Sequence, residues 1–530
     1  MEAFKALILL TTPLPAYATV NINNTTLSVA NDAAIGTGGD NVSFNNGILQ
    51  TTTGFSTSRN LSLTGPGTID TDGQTLTLTG IISGSGAFSL NDSFATPGTL
   101  VISGTSNTFS GGLTITSGNL KLGASSALPS TGNVTITSPG ALNLNNFSQT
   151  IGNLSGTGNI ALGSGALTVK GTSNTTHSGV ISGSGSLTNN PTGGILTLSG
   201  TNTYTGGTNL SAGTTIISNL YAFGTGAITL NGGNLQFGVT CSPSNSLSLA
   251  SATTIDINGY NGGFGSTISG AGPLTITSSA GTGIISLWGG NTYTGGLTIQ
   301  GGATVSVLGD SGFGGAASTV TLNNGIIQDY YGTIASSTRS FILAGNGTIS
   351  AYYSALTLSN PISGPGTLIL ANTSHSITLT NTNNTYMGGT ILKGIGSPYT
   401  TTIAGDGSLG DPSGSITFQT NPVFAISQDV TLSSTRSLIL TNSTNSIINN
   451  NGYNFTIPGV ISGAAKLTFS GAGKTILSGT NTYSTGSTLS AGTVVIGNAA
   501  ALGTGTVTFN GGGLQMNGAY TVANAAALAT

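Results

Sequence analysis

Apolar and polar residues alternate in short runs along almost the whole chain. Two examples are Ile195–Leu198 and Thr214–Ile217, each bounded by clusters of Gly, Asn and Ser, which favour turns. An alternation of period two predicts short β-strands that turn one face inward and the other toward water. Gly, Thr, Ser and Asn disfavour helix, and no long stretch shows the periodicity of a helix. The pattern therefore predicts an all-β protein.

One six-residue turn segment recurs along the chain, and we call it the Asn-Thr-Tyr segment after its commonest first residues. Its copies lie at 107–112, 202–207, 291–296, 384–389 and 481–486. The aromatic residues of successive copies are 95, 89, 93 and 97 positions apart. A recurrence this regular predicts a repeat architecture.

Two further markers recur between the copies in a fixed order. One contains Ile181–Leu187, and the other is a strand-turn-strand pattern over Ile228–Gln236. Together they define repeat units at about 54–145, 146–238, 239–328, 329–424 and 425–516. We predict one continuous domain over 19–516, built from about five units of ~93 residues. Residues 517–530 are expected to form a tail without a cap.

Two β architectures compete. Asn-Gly between alternating runs favours antiparallel hairpins. However, nearly every turn is followed by one short strand, and the spacing of the strands stays tight over hundreds of residues. A coil of three short strands with its corners takes roughly 20–25 residues, so a repeat unit takes about four coils. These features favour a parallel β-helix of ~20 coils, in which each coil hydrogen-bonds to its neighbours.

Composition and charge exclude several classes of partner. Charged residues make up only 4% of the chain, the formal net charge is −3, and the nine Lys and Arg residues are scattered singly. No basic patch is present for nucleic acid or for an anionic membrane surface. Hydrophobic residues reach 37%, which argues against disorder. Cys241 is the only cysteine, so no intramolecular disulfide is possible, and we interpret it as a small buried or corner residue.

Two motifs suggest chemistry, and we interpret both as structural. Gly309–Gly312 resembles the segment around a serine-protease nucleophile, with His177 and Asp256 in the right order before it, but it coincides with a Gly-rich repeat corner. Asp70–Gly73 suggests a calcium loop, but the further acidic ligands of such a loop are missing. The acidic residues are spread out, with no converging pair for acid–base catalysis. We therefore predict no catalytic, cofactor-binding or metal-binding residues.

Residues 1–18 are predicted to be an export signal peptide. Lys5 precedes an apolar run, and Ala16-Tyr17-Ala18 has the small-x-small pattern of a cleavage site. No later segment approaches the ~20 apolar residues that a transmembrane helix requires.

The repeated pattern ISGxGxLTxxxxGxLTLSGxNTYTGGT, followed by GxGxVTLNGGxLQ, resembles the passenger-associated repeat of bacterial autotransporters. The resemblance extends from about Ile35 to Gln515. It implies a right-handed parallel β-helix (a β-solenoid) that is exported to the bacterial cell surface or outer membrane, or secreted, and is often adhesive. Members of the family are linked to a C-terminal membrane barrel. No strands of that kind follow Gln515, so we expect a separate or missing outer-membrane translocator.

The sequence thus predicts a non-enzymatic, exported surface β-solenoid that acts as a stalk or adhesin. Its expected partners are a second copy of itself or a ligand on a host or cell surface. Two alternatives stay open: a carbohydrate-active β-helix enzyme, and a truncated fragment of a larger autotransporter. The aromatic rings of the Asn-Thr-Tyr segments are expected to pack as structural plugs.

Overall fold

The computed structural model describes residues 7–9, 19–36, 39–329, 339–394, 399–441 and 444–529. The predicted signal peptide, residues 1–18, lies outside the described residues except for Leu7–Leu9. The chain divides into two compact units, Met1–Ile255 and Asp256–Thr530. Each unit is a parallel β-solenoid, and together they comprise about 23 turns.

The first unit carries its strands in four sheets. The longest sheet contains Leu7–Leu9, Thr26–Val29, Gly47–Thr51, Gly67–Asp70, Phe88–Leu90, Leu113–Ile115, Val134–Ile136, Leu154–Gly156, Thr175–His177, Ile195–Leu198, Thr214–Ile217 and Asn234–Phe237. The second sheet contains Val20–Asn23, Val42–Asn45, Leu61–Leu63 and Ile82–Gly84. The third sheet contains Phe55–Thr57, Thr75–Leu78, Thr99–Ile102, Asn119–Leu122, Ala141–Asn143, Asn159–Ala161 and Ile181–Ser182. The fourth sheet contains Gln149–Ile151, Leu167–Val169, Leu187–Asn189, Thr208–Leu210, Ile228–Leu230 and Leu247–Leu249. The first unit ends at Ile255, within the strand Thr253–Asp256.

The second unit is built in the same way. Its strands include Ile268–Gly270 in one sheet. Another sheet contains Leu274–Thr277, Leu297–Gln300, Val320–Asn323, Phe341–Leu343 and Ile362–Ser363. A long sheet, which we call the exit sheet, contains Gly262–Phe264, Ile284–Leu287, Thr304–Val307, Gly325–Asp329, Gly347–Ser350, Leu368–Asn372, Thr390–Gly394, Ile416–Gln419, Leu438–Leu440 and Ile461–Gly463. The remaining strands form two sheets. One sheet contains Leu356–Leu358, Ile377–Leu379, Thr400–Ile403, Val423–Ile426, Asn445–Asn449, Lys466–Ser470, Ser487–Leu489, Val507–Phe509 and Ala526–Leu528. The other sheet contains Val430–Thr431, Phe455–Ile457, Lys474–Leu477, Thr493–Ile496 and Gly513–Met516. Short 3₁₀ helices span Asp32–Ile35, Asp310–Phe313 and Asp406–Leu409.

The strand pairing confirms the parallel β-helix and excludes the hairpin alternative for the strands described. Ile195 pairs in parallel with Thr214, which pairs in parallel with Asn234. Paired residues in neighbouring coils are as close as 18 positions, for Gln149 with Leu167, and as far apart as 26, for Thr390 with Ile416. The coil length therefore lies close to the range that the sequence predicted.

The core is a narrow column of aliphatic side chains inside the coils. In the strand Ile195–Leu198 the burial alternates, so that Leu196 and Leu198 are buried between the outward residues Ile195 and Thr197. This confirms the predicted inward and outward faces. Each inward leucine contributes roughly 1.5–3 kcal/mol by leaving water. Because each coil touches only its neighbours, stability accumulates coil by coil.

The repeat unit does not correspond to a whole number of coils. In the second unit, the strands that follow the three Asn-Thr-Tyr segments are Leu297–Gln300, Thr390–Gly394 and Ser487–Leu489, and they belong to three different sheets. Each copy has therefore moved to another face of the solenoid relative to the previous copy. The estimate of four coils per unit was slightly low, and copies of the segment do not stack on one another.

Candidate functional site

The asparagine of each Asn-Thr-Tyr segment bridges three successive coils. The Oδ1 atom of Asn202 accepts a hydrogen bond from the backbone N–H of Ile181 in the preceding coil, at 2.8 Å. Its Nδ2 atom donates to the carbonyl oxygen of Ala222 in the following coil, at 2.6 Å. The same bridge is made by Asn107, Asn291, Asn384 and Asn481. All five side chains are buried, so the amide replaces water for backbone groups that strand pairing leaves over.

The aromatic ring two positions later is completely buried, as the structural interpretation predicts. The hydroxyl group of Tyr204 shares a hydrogen bond with Oγ1 of Thr208, at 2.5 Å. Tyr386 with Thr390 and Tyr483 with Ser487 repeat this pair four positions apart. Where the ring is Phe109, the fourth residue after it is Leu113. The ring and its partner are therefore matched in polarity in these copies.

Tyr293 is the exception, because the residue four positions later is Leu297. Its hydroxyl group is buried without a hydrogen-bond partner. We expect Tyr293→Phe to leave the free energy of unfolding unchanged or to raise it. Tyr386→Phe, in the same unit, should lower it by about 1 kcal/mol, because the buried hydroxyl of Thr390 loses its partner. Urea denaturation of both variants measures the difference, and equal losses in the two variants would contradict the assignment.

The second glycine of every segment is required by the backbone. Gly112, Gly207, Gly296, Gly389 and Gly486 have φ between +77° and +104°, where a side chain is strained. The first glycine is less strictly required, since the last copy has Thr485 there. This explains which glycine the most divergent copy retains.

All three arginines of the chain make one recurring ion pair that the sequence analysis did not identify. The pairs are Arg59 with Asp32 at 2.9 Å, Arg339 with Asp310 at 3.1 Å and Arg436 with Asp406 at 2.7 Å. Each aspartate begins a 3₁₀ helix, and each arginine lies 27 to 30 positions later, just before a strand. The guanidinium of Arg436 also donates to the carbonyl oxygens of Leu409, Gly410 and Gly414. The sequence feature that could have indicated these ion pairs is the recurrence of Arg two positions before a strand.

The protease-like motif is part of this construction. Asp310 of Gly309–Gly312 begins a 3₁₀ helix, and its carboxylate binds Arg339. The carboxylate of Asp256 accepts hydrogen bonds from the backbone N–H groups of Asn258 and Ser279, at 2.8 and 2.9 Å. His177 is buried in the first unit, and burial lowers its pKa to about 4. Asp256 and Asp310 thus have local structural roles.

The calcium-like motif is a turn held by carboxylates. The Oδ1 atom of Asp70 accepts hydrogen bonds from the backbone N–H groups of Asp72 and Ser93, each at 3.0 Å. The nearby carboxylate of Asp92 accepts from the N–H groups of Phe94 and Gly98, at 2.9 and 2.7 Å. These bonds occupy oxygens that a calcium ion would need. The bond from the N–H of Asp72 to Asp70 forms an Asx turn, in agreement with the structural interpretation of this motif. Among the described residues, no three His, Cys, Asp or Glu side chains gather at one point.

The outer face of the longest sheet in the first unit presents a straight row of hydroxyl groups, which we call the hydroxyl ladder. Its members are Thr68, Ser89, Thr114, Thr135, Ser155, Thr176 and Thr197. Direct pairing joins the first five, and the pairing of Gly156 with His177 places Ser155 opposite Thr176. Thr135 and Ser155 share a hydrogen bond of 2.9 Å. At about 4.8 Å per coil, the row spans roughly 29 Å.

A second row lies on a neighbouring sheet of the same unit. It consists of Thr150, Thr168, Thr188, Asn209, Thr229 and Ser248, in continuous register. All six side chains are partly exposed, and none is charged. The first unit thus carries two rows of polar, uncharged side chains, which can donate and accept hydrogen bonds along the solenoid axis.

Comparison with protein-family profiles gives matches to the passenger-associated-transport-repeat at residues 97–122, 193–217, 280–307 and 467–496. Each match contains one Asn-Thr-Tyr segment and the strand that follows it. The chain carries passenger-associated-transport repeats. This confirms the resemblance inferred from the repeated sequence pattern. Neither curated proteins nor solved structures gave a match.

In these passenger-associated repeats, the matched residues serve the fold. The match at 193–217 includes Asn202, whose side chain bridges successive coils, and Tyr204, whose ring is completely buried. Within the described part of the chain, no helix is long and apolar enough to cross a membrane.

Proposed function

We propose that the chain is a non-enzymatic, exported surface β-solenoid of the autotransporter-passenger type, which acts as a stalk or adhesin by self-association. The observation that carries the proposal is the combination of passenger-associated repeats with the hydroxyl ladder and the second uncharged row of the same unit. Export to the bacterial surface, through an outer-membrane translocator, is part of the proposal.

The surface chemistry supports contact between two copies. Rows without charged side chains repel each other little, and rows of hydroxyl and amide groups in register form many weak hydrogen bonds in parallel. Such an interface is expected to depend weakly on salt, because few ions are displaced when it forms. The structural roles of Asp70, Asp256 and Asp310 leave the surface role better supported than the enzymatic alternative.

A pair of charge substitutions in the hydroxyl ladder tests this mode of association. We expect Thr114→Glu with Ser155→Glu to abolish clumping of cells that display the chain, and to lower self-association of the purified protein about ten-fold. Analytical ultracentrifugation at low and high salt measures the effect. The matched control is Thr172→Glu with Thr192→Glu, which places the same charge on exposed corners of the same unit. Equal loss in both pairs, or no self-association by the wild-type chain at millimolar concentration, would contradict the mode proposed.

A further inference from the structure

The exit corner of the second unit, where the exit sheet ends in each coil, carries aromatic and apolar side chains at the surface. Trp288 and Leu308 directly follow the paired residues Leu287 and Val307. Their side chains are 46% and 45% exposed. Tyr352 and Tyr353 follow the strand Gly347–Ser350 and are each 43% exposed. Aromatic residues make up only 6% of the chain, and 16 of the 28 that the structure describes are buried.

The same corner continues into the next two coils. His375 lies between the strands Leu368–Asn372 and Ile377–Leu379, and Tyr399 directly precedes the strand Thr400–Ile403. The rings of His375 and Tyr399 are stacked, with their centroids 5.9 Å apart. The rings of Tyr352 and Tyr353 meet edge to face at 4.6 Å. Six strands of the exit sheet, from Ile284–Leu287 to Thr390–Gly394, separate Trp288 from Tyr399 by about 24 Å at ~4.8 Å per coil. Residues 330–338 and 395–398, which follow two of these strands, lie outside the described residues.

A buried carboxylate anchors the backbone in the middle of the corner. Asp329 is fully buried, and its carboxylate accepts hydrogen bonds from the backbone N–H groups of Tyr352 and Tyr353, at 2.5 and 3.1 Å. It also accepts one from Oγ of Ser354, at 2.7 Å. Nδ1 of His375 lies within hydrogen-bond distance, 3.3 Å, of the carbonyl oxygen of Tyr352. The rings are therefore presented on a backbone that is already ordered, which lowers the entropic cost of binding.

We propose that the exit corner binds an extended neutral polysaccharide whose chain runs along the solenoid axis. Pyranose rings present C–H faces that pack on aromatic rings, and the rise of one coil is close to the length of one sugar residue in an extended chain. The linear arrangement fits such a polymer better than a broad protein surface. Asp329 is buried, Lys393 is a single partly exposed cation on the exit sheet, and no cationic cluster is present for nucleic acid, so the charge favours an uncharged ligand. This inference adds a ligand class to the surface role proposed above and rests on it.

The chain contains its own reporter for this site, because Trp288 is its only tryptophan. Purified full-length protein is titrated with cellohexaose, chitohexaose, maltohexaose and mannohexaose, and with the hexamer of galacturonic acid as an anionic comparison. We expect at least one neutral hexasaccharide to change the tryptophan emission saturably, and the anionic hexamer to act more weakly.

Two variants locate the binding. We expect Tyr352→Ala with Tyr353→Ala to weaken the affinity about ten-fold, since aromatic rings dominate such interfaces. Asp329 binds backbone N–H groups there, so the corner retains its anchor in this variant, and circular dichroism verifies the fold. The matched control is Tyr453→Ala, which removes a ring of 42% exposure from another corner of the same unit and should bind as the wild type does.

Three results would overturn the inference: no change of emission with any neutral hexasaccharide, equal affinity in the double variant, or tighter binding of the anionic hexamer. A change of emission that depends on protein concentration alone would instead assign the corner to contact between copies. Failure here leaves clumping through the hydroxyl ladder intact. Loss of clumping with retained binding of sugar would contradict only the self-association mode.

Discussion

Replacing Arg436 with leucine is expected to lower the free energy of unfolding of the second unit by about 3–5 kcal/mol. The guanidinium is fully buried and binds the carboxylate of Asp406 at 2.7 Å. Without it, that carboxylate and the carbonyl oxygens of Leu409, Gly410 and Gly414 lose their donors in a site with little access to water. Urea denaturation followed by the emission of Trp288, in the same unit, measures the loss.

A second variant separates the buried charge from the packing. Arg436→Leu combined with Asp406→Leu should be less destabilised than Arg436→Leu alone, because the unpaired carboxylate is removed as well. Lys474→Ala, which removes an exposed cation from the same unit, should change the free energy of unfolding by less than about 0.5 kcal/mol. A loss below about 1 kcal/mol for Arg436→Leu would show that the ion pair contributes little.

Replacing Asn202 with alanine is expected to lower the free energy of unfolding of the first unit by about 4 kcal/mol, since each of two orphaned backbone groups costs about 1–3 kcal/mol. The backbone N–H of Ile181 and the carbonyl oxygen of Ala222 are buried around this side chain and lose their partner. Urea denaturation followed by circular dichroism measures the change. Hydrogen exchange at the amide of Ile181 should accelerate as well.

The control for this prediction is Asn231→Ala, an exposed asparagine in the same unit, which should be nearly neutral. Asn202→Asp retains the acceptor for Ile181 but loses the donor to Ala222 and buries a charge, so it should also be destabilised. If Asn202→Ala unfolds like Asn231→Ala, the bridge between coils is not an important source of stability.

Much of the fold could be predicted from the sequence because its signals are local. Period-two alternation identifies strands such as Ile195–Leu198. Glycines such as Gly207 identify corners, and the positive φ of Gly207 in the structure shows why glycine is needed there. From the even spacing of these signals along the chain, we predicted stacked parallel coils. The structural interpretation of Asp70–Gly73 also followed from local chemistry, because an Asx turn is closed within two residues.

The buried polar contacts were less accessible, because each one joins residues in different coils. Arg436 and Asp406 are 30 positions apart, and nothing local states that their corners meet. The sequence showed that hydroxyl groups face outward, but not that seven of them form one row, since the coil length varies from 18 to 26 residues. The exit corner was missed for the same reason.

The sequence by itself determined that this chain forms short strands joined by glycine and asparagine corners, because backbone preference and side-chain alternation act over a few residues. Tertiary structure alone decided which side chains share a face. Coils differ in length, so the position of a residue around the solenoid depends on the lengths of all the coils between it and its neighbours, and successive repeats fall on different sheets. The hydroxyl ladder, the arginine–aspartate pairs and the aromatic corner all arise from that register.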